Sequence, residues 1–223
     1  MLRSKLILLG IVFGFEPLEP AASAAEVQVI NGQFGNKFIS ISGRIEQEDA
    51  KIFAESAVSS KADTVILNSP GGSVNSSMEI GRLIRARGMI TVVTRNSYCV
   101  SACGLIWVAG VRRVLAPGAR VGFHATFMTR DSMRMESGVG NALVGRYLTL
   151  LNLPERAVVF ATTAGPDSLN WLDADNKGSS GIDLEIAESD YPSPVTVAAI
   201  MKSSGPPKAI RIRETERLAF RKQ

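Results

Sequence analysis

The sequence predicts an α/β protein with a largely parallel sheet, and three observations carry that prediction. Apolar, β-branched runs alternate with stretches of helical period, the order that right-handed crossover connections produce. The run DTVILNSPGG (63–72) reads as a buried strand delivering a tight Pro-Gly-Gly turn at its C-terminal end. The segment YCVSACGLIWVAG is apolar nearly all round from Cys99 to Ala109, which marks a helix sunk in the core.

Residues 1–25 read MLRSKLILLGIVFGFEPLEPAASAA and have the three parts of a secretory signal. Arg3 and Lys5 form a basic start, the apolar run extends from Leu6 to Phe15, and Ala22-Ser23-Ala24 offers the small residues a signal peptidase reads. Glu16, Pro17, Glu19 and Pro20 stop any helix, and the ten-residue apolar run is too short for a membrane span, which needs about 20 residues. Cleavage is expected after about Ala24. No Cys at that site points to a lipoprotein, and no later segment is long and apolar enough to span a bilayer. The mature chain is therefore expected to be soluble and exported, periplasmic or secreted, where ATP is scarce and disulfides are permitted.

Along the mature chain, EVQVI (26–30) and KFISISG (37–43) are expected as two strands around an Asn-Gly turn. A helix is expected over 45–60, with acidic residues in its first turn where they suit the helix dipole. After the strand ending in Pro-Gly-Gly, 76–87 is helical, with Ile80, Leu83 and Ile84 on one face and Arg82, Arg85 and Arg87 largely on the other. MITVVT (89–94) is a second buried strand, and RVLAP (113–117) and ARVGFHATF (119–127) are two more candidates beyond the sunken helix. The stretch 128–140 is polar and Met-rich and reads as a surface loop, in which Met128, Met133 and Met135 either line an apolar groove or pack within the loop. Helical patterns return at about 141–152 and 154–163. The basic C-terminal tail, 196–223, carries Lys202, Lys208, Arg211, Arg213, Arg217, Arg221 and Lys222, and is read as a solvated segment rather than a binder of anionic lipid or polymer. This divides the chain into a signal peptide (1–24), one domain (25–195) and the tail.

Composition narrows the chemistry. The 223 residues are 45% hydrophobic and 21% charged, which excludes wholesale disorder; the 20 Gly and 10 Pro show no period, which excludes a collagen-like chain. Two Cys exclude a disulfide scaffold and a four-thiolate zinc site, and the single histidine, His124, excludes a two-His metal site within a monomer. The net charge of +4 is too mild to argue for nucleic acid as a partner. Imidazole chemistry in one subunit must pass through His124. Ser101 lies at the start of the sunken helix, and a serine hydroxyl needs a nearby base such as neutral imidazole to take its proton. A helix N-terminus supplies free N–H groups where an oxyanion would develop. The Gly71-Gly72 turn, Ser101 and His124 all fall at or just after the carboxyl ends of strands, where sites of open α/β sheets collect.

Taken together, Asn68-Ser69-Pro70-Gly71-Gly72-Ser73-Val74 before a helix, Ser101-Ala102 opening the next helix, and Gly122-Phe123-His124 resemble the proteolytic subunit of the Clp protease. More broadly they resemble the Clp-protease/crotonase superfamily, over roughly residues 37–190. The resemblance implies a spiral of repeated β-β-α units, Ser101 as nucleophile and His124 as general base. It also implies an oxyanion hole from the Gly71-Gly72 turn, through the N–H of Gly72 or its neighbour Ser73, together with that of Ala102. The implied activity is that of a serine peptidase acting on a peptide or unfolded polypeptide, without cofactor or metal. A homo-oligomer, trimer or hexamer, is implied as well; the family's ATPase partners are cytoplasmic and are not brought along. The signal-peptide-peptidase branch shares the Pro-Gly-Gly turn but uses a Ser–Lys dyad, and a His at position 124 favours the Clp-like base. Crotonase enzymes lack the serine nucleophile and bind acyl-CoA.

The third triad member is where the sequence departs from the family. Counting back from Gly181 places the orienting Asp on Leu169, with Asp167, Asn170 and Asp173 as nearby candidates, or none at all. Its loss would leave a Ser–His dyad. Cys99 and Cys103 bracket Ser101; packing as small buried hydrophobes is the favoured reading, with a disulfide as the alternative. Two other functions stay open: a non-catalytic binding or assembly protein of the same fold, and an esterase-type acyl hydrolase.

Overall fold

A six-stranded sheet organises the computed structural model, which describes residues 24–32 and 35–187. The expected signal segment up to residue 23 and the tail 196–223 lie outside the described residues. Strands β1 (Glu26–Asn31) and β2 (Lys37–Ser42) pair antiparallel, and the Gly32 N–H donates to Asn36 O at 2.7 Å in the turn between them. The other pairs are parallel, running through β3 (Thr64–Asn68), β4 (Ile90–Val93), β6 (Arg112–Leu115) and β11 (Glu185–Ile186), in the order β1-β2-β3-β4-β6-β11. Helices α1 (Asp49–Ser60), α2 (Val74–Arg87) and α3 (Ala102–Val108) make the crossovers. Both faces of these strands are buried: Ile39, Ile41, Val65, Leu67 and Val93 join the helices in one cluster, and Phe38, Ile90, Val92 and Val114 form another. That two-sided burial is why the strands read as apolar runs rather than as alternation.

Local signals explain the helix limits. The Ser73 side chain caps α2 by accepting from the Ser76 N–H, and Gly88 ends it in the left-handed conformation at φ 66°. α1 begins at Asp49 rather than at residue 45, because Ile45 is held by the turn after β3: its N–H donates to Gly71 O and its carbonyl accepts from the Ser73 N–H, both at 2.8 Å. The sunken helix is shorter than its apolar run. Tyr98–Val100 is strand β5, and α3 starts only after Ser101. β5 joins β7 (Arg120–Phe123) and β10 (Asn170–Leu172) in a second sheet, ordered β10-β7-β5.

The segment expected as a surface loop is instead a hairpin of β8 (Phe127–Arg130) and β9 (Met133–Glu136), followed by the start of α4 (Gly138–Leu150). Asp131 and Ser132 both have positive φ, 50° and 63°, the backbone of a tight two-residue hairpin turn. All of β9 is exposed and β8 is covered only at Phe127, so no apolar alternation marks the pair. α5 (Glu155–Thr162) completes the helices.

Tyr147 of α4 ties three helices together. Its hydroxyl donates to Leu105 O at 2.8 Å, and it lies so close to Gly81 of α2 that a Cβ there would fall 1.8 Å from the hydroxyl oxygen. Burial pushes the Tyr147 phenol well above the ordinary tyrosine range. Tyr147→Phe is expected to cost about 1 kcal/mol at neutral pH, through the lost buried hydrogen bond. The unfolded phenol ionises near pH 10 while the folded one stays protonated, so this contribution is present below that pH and is lost above it. Denaturant titrations of both proteins at pH 7 and pH 11 check this: the difference between them shrinks at the higher pH. Arg113, buried beside Arg85, donates to Gly110 O and Asp183 O; desolvation first, then Arg85, lowers it to about 10, so it remains charged at neutral pH.

Candidate active site

The Pro-Gly-Gly turn is built for contact with backbone. Gly71 (φ 97°) and Gly72 (φ 144°) occupy conformations that a Cβ disfavours. A Cβ on Gly71 would lie 2.6 Å from Val100 O and 2.8 Å from the Ser101 Cβ; one on Gly72 would lie 2.1 Å from Ile45 O. The glycines are thus required by the protein's own packing, which presses the turn against the start of α3. Ser73 points elsewhere, with its N–H on Ile45 O and its side chain on α2. Among the described residues, no hydrogen bond occupies the Gly72 or Ala102 N–H.

Ser101 forms the elbow between β5 and α3. Its φ of 58° and ψ of −125° lie in a region that costs a residue with a side chain on the order of 1–3 kcal/mol. Its N–H donates to Gly122 O at 2.8 Å, continuing the parallel β5–β7 ladder in which Val100 faces Gly122. The same strand β7 ends at Phe123 and delivers His124, so one short ladder places both residues. Parallel bridges of Ser69 with Cys99 and of Gly72 with Ile45 dock the glycine turn onto this unit.

The His124 ring is half-buried. Its Nδ1 lies 2.6 Å from Ala125 O. A carbonyl oxygen only accepts, so Nδ1 carries a proton, and in the neutral ring Nε2 keeps its lone pair. Among the described residues no hydrogen bond joins His124 to Ser101 or to a carboxylate. β10 runs antiparallel to β7 with Asn170 opposite Phe123, so Leu169 and His124 are the next residues beyond the last pair of the ladder, and both line the same cleft. An apolar side chain therefore occupies the place that counting along the sequence assigns to the orienting Asp. The other candidates are engaged elsewhere. Asp167 pairs with Arg134 at 3.2 Å, Asn170 donates to Phe160 O, and Asp173 accepts from the Asp175 and Asn176 N–H groups.

Ser101, Ala102, Gly72 and His124 line one cleft of about 550 Å³, together with Asp167 and Leu169. Gly71 packs behind the wall rather than in it, and neither Asn170 nor Asp173 reaches it. Leu105, Phe123, Val144 and Ala161 line it as well, beside the polar Arg44, Thr126, Thr129 and Ser168. The hairpin adds Phe127, whose ring lies 5.5 Å from that of His124, and Arg134, stacked over Phe127 at 5.2 Å. Sequence reasoning missed these two because a two-sided exposed hairpin carries no periodic signal. Arg134–Asp167 is exposed and contributes at most about 1 kcal/mol. Among the described residues, no group of three His, Cys, Asp or Glu is placed to hold a metal ion.

Cys99 and Cys103 are joined in a disulfide, with Cα atoms 5.2 Å apart. Both are fully buried, as small hydrophobes would be, but the favoured reading of packed free thiols is corrected. The bend at Ser101 turns Cys103 back over Cys99, which brings the two sulfurs together.

Fold and cleft together define the class: a ClpP-type α/β fold with a serine and a histidine brought to one cleft by a strand-to-helix elbow. No family model matches the sequence, and no curated protein is significantly similar to it. Among solved structures, the chain is similar to a lysine-to-alanine variant of the 1510-N membrane-bound stomatin-specific protease in complex with a substrate peptide (TM-score 0.55, 18% identity, 70% of this chain and 76% of that one). It is also similar to an asparagine-to-aspartate variant of ClpP1 from Listeria monocytogenes (TM-score 0.52, 20% identity, 68% and 91%). A third likeness is to PA4980 of Pseudomonas aeruginosa (TM-score 0.51, 15% identity, 94% and 100%). The resemblance read from the glycine turn, Ser101 and His124 thus holds as a likeness of fold, the one that ClpP-type serine proteases have.

Proposed function

We propose that this chain is an exported serine peptidase that cleaves peptides or unfolded polypeptides with a Ser101–His124 dyad. The observation that carries the reading is the Ser101 elbow: a serine held at positive φ at a helix start, with the only histidine and two uncommitted N–H groups on the same cleft. His124 Nε2 takes the Ser101 hydroxyl proton as Oγ bonds to the substrate carbonyl carbon. The Gly72 and Ala102 N–H groups then hold the oxyanion. The imidazolium returns the proton to the leaving amine, and water cleaves the acyl-enzyme by the same route. Ala125 O, rather than a carboxylate, sets the ring's tautomer.

Export is supported by the residues before Glu26 and by the Cys99–Cys103 disulfide, a bond that persists in oxidising compartments. A homo-oligomer is proposed on the resemblance to the Clp family. No helix among the described residues is long and apolar enough to cross a membrane.

Leu169 at the counted position of the orienting Asp, and the absence among the described residues of a Ser101–His124 hydrogen bond, favour a second reading, a binding protein that has lost turnover. Catalytic hydrogen bonds often tighten only around substrate, so the two readings are separated by reactivity. The test is labelling of purified mature protein with a fluorophosphonate probe, with mass spectrometry to place the adduct. An adduct on Ser101, formed about 10²–10⁴-fold more slowly in His124→Ala, is the expected result. Well-folded protein that takes up no probe would carry the binding reading.

A further inference from the structure

We infer that the Cys99–Cys103 disulfide is the positioning device of the Ser101 elbow, so that nucleophile activation depends on oxidation of this pair. The inference rests on the peptidase reading above and specifies how its nucleophile is held. The bond spans Val100, Ser101 and Ala102, all of which line the cleft, whereas neither cysteine does. Cys99 sits in β5, paired with Val121 of β7, and Cys103 sits in the first turn of α3. The crosslink therefore fastens the helix start to the ladder that delivers His124. Both cysteines are 0% exposed, so they touch substrate nowhere and act only through the backbone between them.

Besides the packing of the Gly71 turn and the Val100 N–H bond to Ser69 O, two backbone bonds hold Ser101 itself. Ser101 holds its positive φ with an N–H bond to Gly122 O on one side and a Gly104 N–H bond to its own carbonyl on the other, and its hydroxyl caps nothing. α3 is only seven residues long, so its first turn, which presents the Ala102 N–H, has little helix behind it. A loop closed over a sequence separation of four gains little chain-entropy stabilisation compared with longer loops. Its main effect is thus on local geometry, and displacement of a reacting atom by about 1 Å costs on the order of a hundredfold in rate. A chain folded under reducing conditions has both thiols free, a relaxed elbow and a slow nucleophile. Oxidation while the chain folds, before burial closes over the thiols, by thiol–disulfide exchange with a small-molecule disulfide forms the Cys99–Cys103 bond, releases that reagent as two thiols, and switches Ser101 on.

The test compares the oxidised full mature protein, the same protein refolded with dithiothreitol, and the double variant Cys99→Ala/Cys103→Ala. Circular dichroism and gel filtration confirm fold and assembly, and the fluorophosphonate labelling rate and peptide kinetics are then measured. The expected result is labelling about 10–100-fold slower in the reduced and double-variant proteins, with kcat lowered and KM little changed. Refolding of the reduced wild type with oxidised glutathione restores the fast rate, whereas the double variant treated the same way stays slow. A merely structural crosslink would lower the unfolding midpoint without moving the labelling rate of folded protein, and rates within twofold of the oxidised protein would overturn the inference. If the double variant does not fold, the reduced wild type decides. Failure of oxidised wild type to label at all would instead remove the peptidase reading, and this inference with it.

Discussion

Ser101→Ala and Ser101→Gly are expected to be equally inactive proteins of different stability. Either change removes the hydroxyl, and peptide hydrolysis should fall by roughly 10³–10⁶-fold, to what the oxyanion donors and binding supply alone. The two part company in the fold. At φ 58° and ψ −125°, the serine Cβ costs on the order of 1–3 kcal/mol, which alanine retains and glycine releases. Glycine's greater freedom in the unfolded chain takes back about 0.5–1 kcal/mol. Ser101→Gly should therefore exceed Ser101→Ala in stability by about 1 kcal/mol, read as a higher urea midpoint at unchanged slope. Equal midpoints would show that the elbow stores no strain, and hydrolysis surviving in either variant would remove Ser101 from the mechanism. The pattern expected is that of a site whose geometry is held against local preference by its surroundings.

The second large effect falls on the oxyanion turn. Gly72→Ala sets a Cβ 2.1 Å from the Ile45 carbonyl oxygen at φ 144°. The obstacle is backbone on both sides, because Ile45 is itself hydrogen-bonded to Gly71 and Ser73, so neither segment can yield without breaking those bonds. A loss of about 3–5 kcal/mol is expected, from backbone strain and overpacking together. That is a large part of the roughly 5–15 kcal/mol by which domains are stable. Gly178→Ala, where a Cβ meets nothing within 4 Å, should stay within about 0.5 kcal/mol of wild type. Thermal unfolding of the three proteins settles the matter: a Gly72→Ala midpoint close to wild type would mean that the turn and Ile45 are not packed as described. The variant is also a warning for functional work, because its loss of activity would report folding before it reported the oxyanion hole.

The parts of the fold legible in the sequence are those set by neighbours along the chain. The crossover strands announce themselves by apolar runs, α2 by Ile80, Leu83 and Ile84 on one helical face, and the site by a glycine turn, a serine at a helix start and a lone histidine. Where local rules met a competing long-range contact, the expectation slipped. Ile45 was drawn out of α1 by the glycine turn, and Cys99 and Val100 were drawn out of the apolar helix into a ladder with β7. The hairpin 127–136 was illegible for the opposite reason: with nearly all of it exposed, burial wrote no period into it.

By itself, then, the sequence determined the α/β class, the order of crossovers and which side chains were available for chemistry, since these follow from local period, turn chemistry and composition. Only the tertiary structure decided what stands next to them. The register of two strands nearly fifty positions apart brings Leu169 and His124 to one cleft, and Ala125 O takes the ring nitrogen that a carboxylate would have held. The disulfide across Ser101 likewise needed the bend to exist before two thiols four positions apart could meet. Such neighbours are selected by pairing and packing between distant segments, and no local pattern of residues encodes a distance that the fold itself creates.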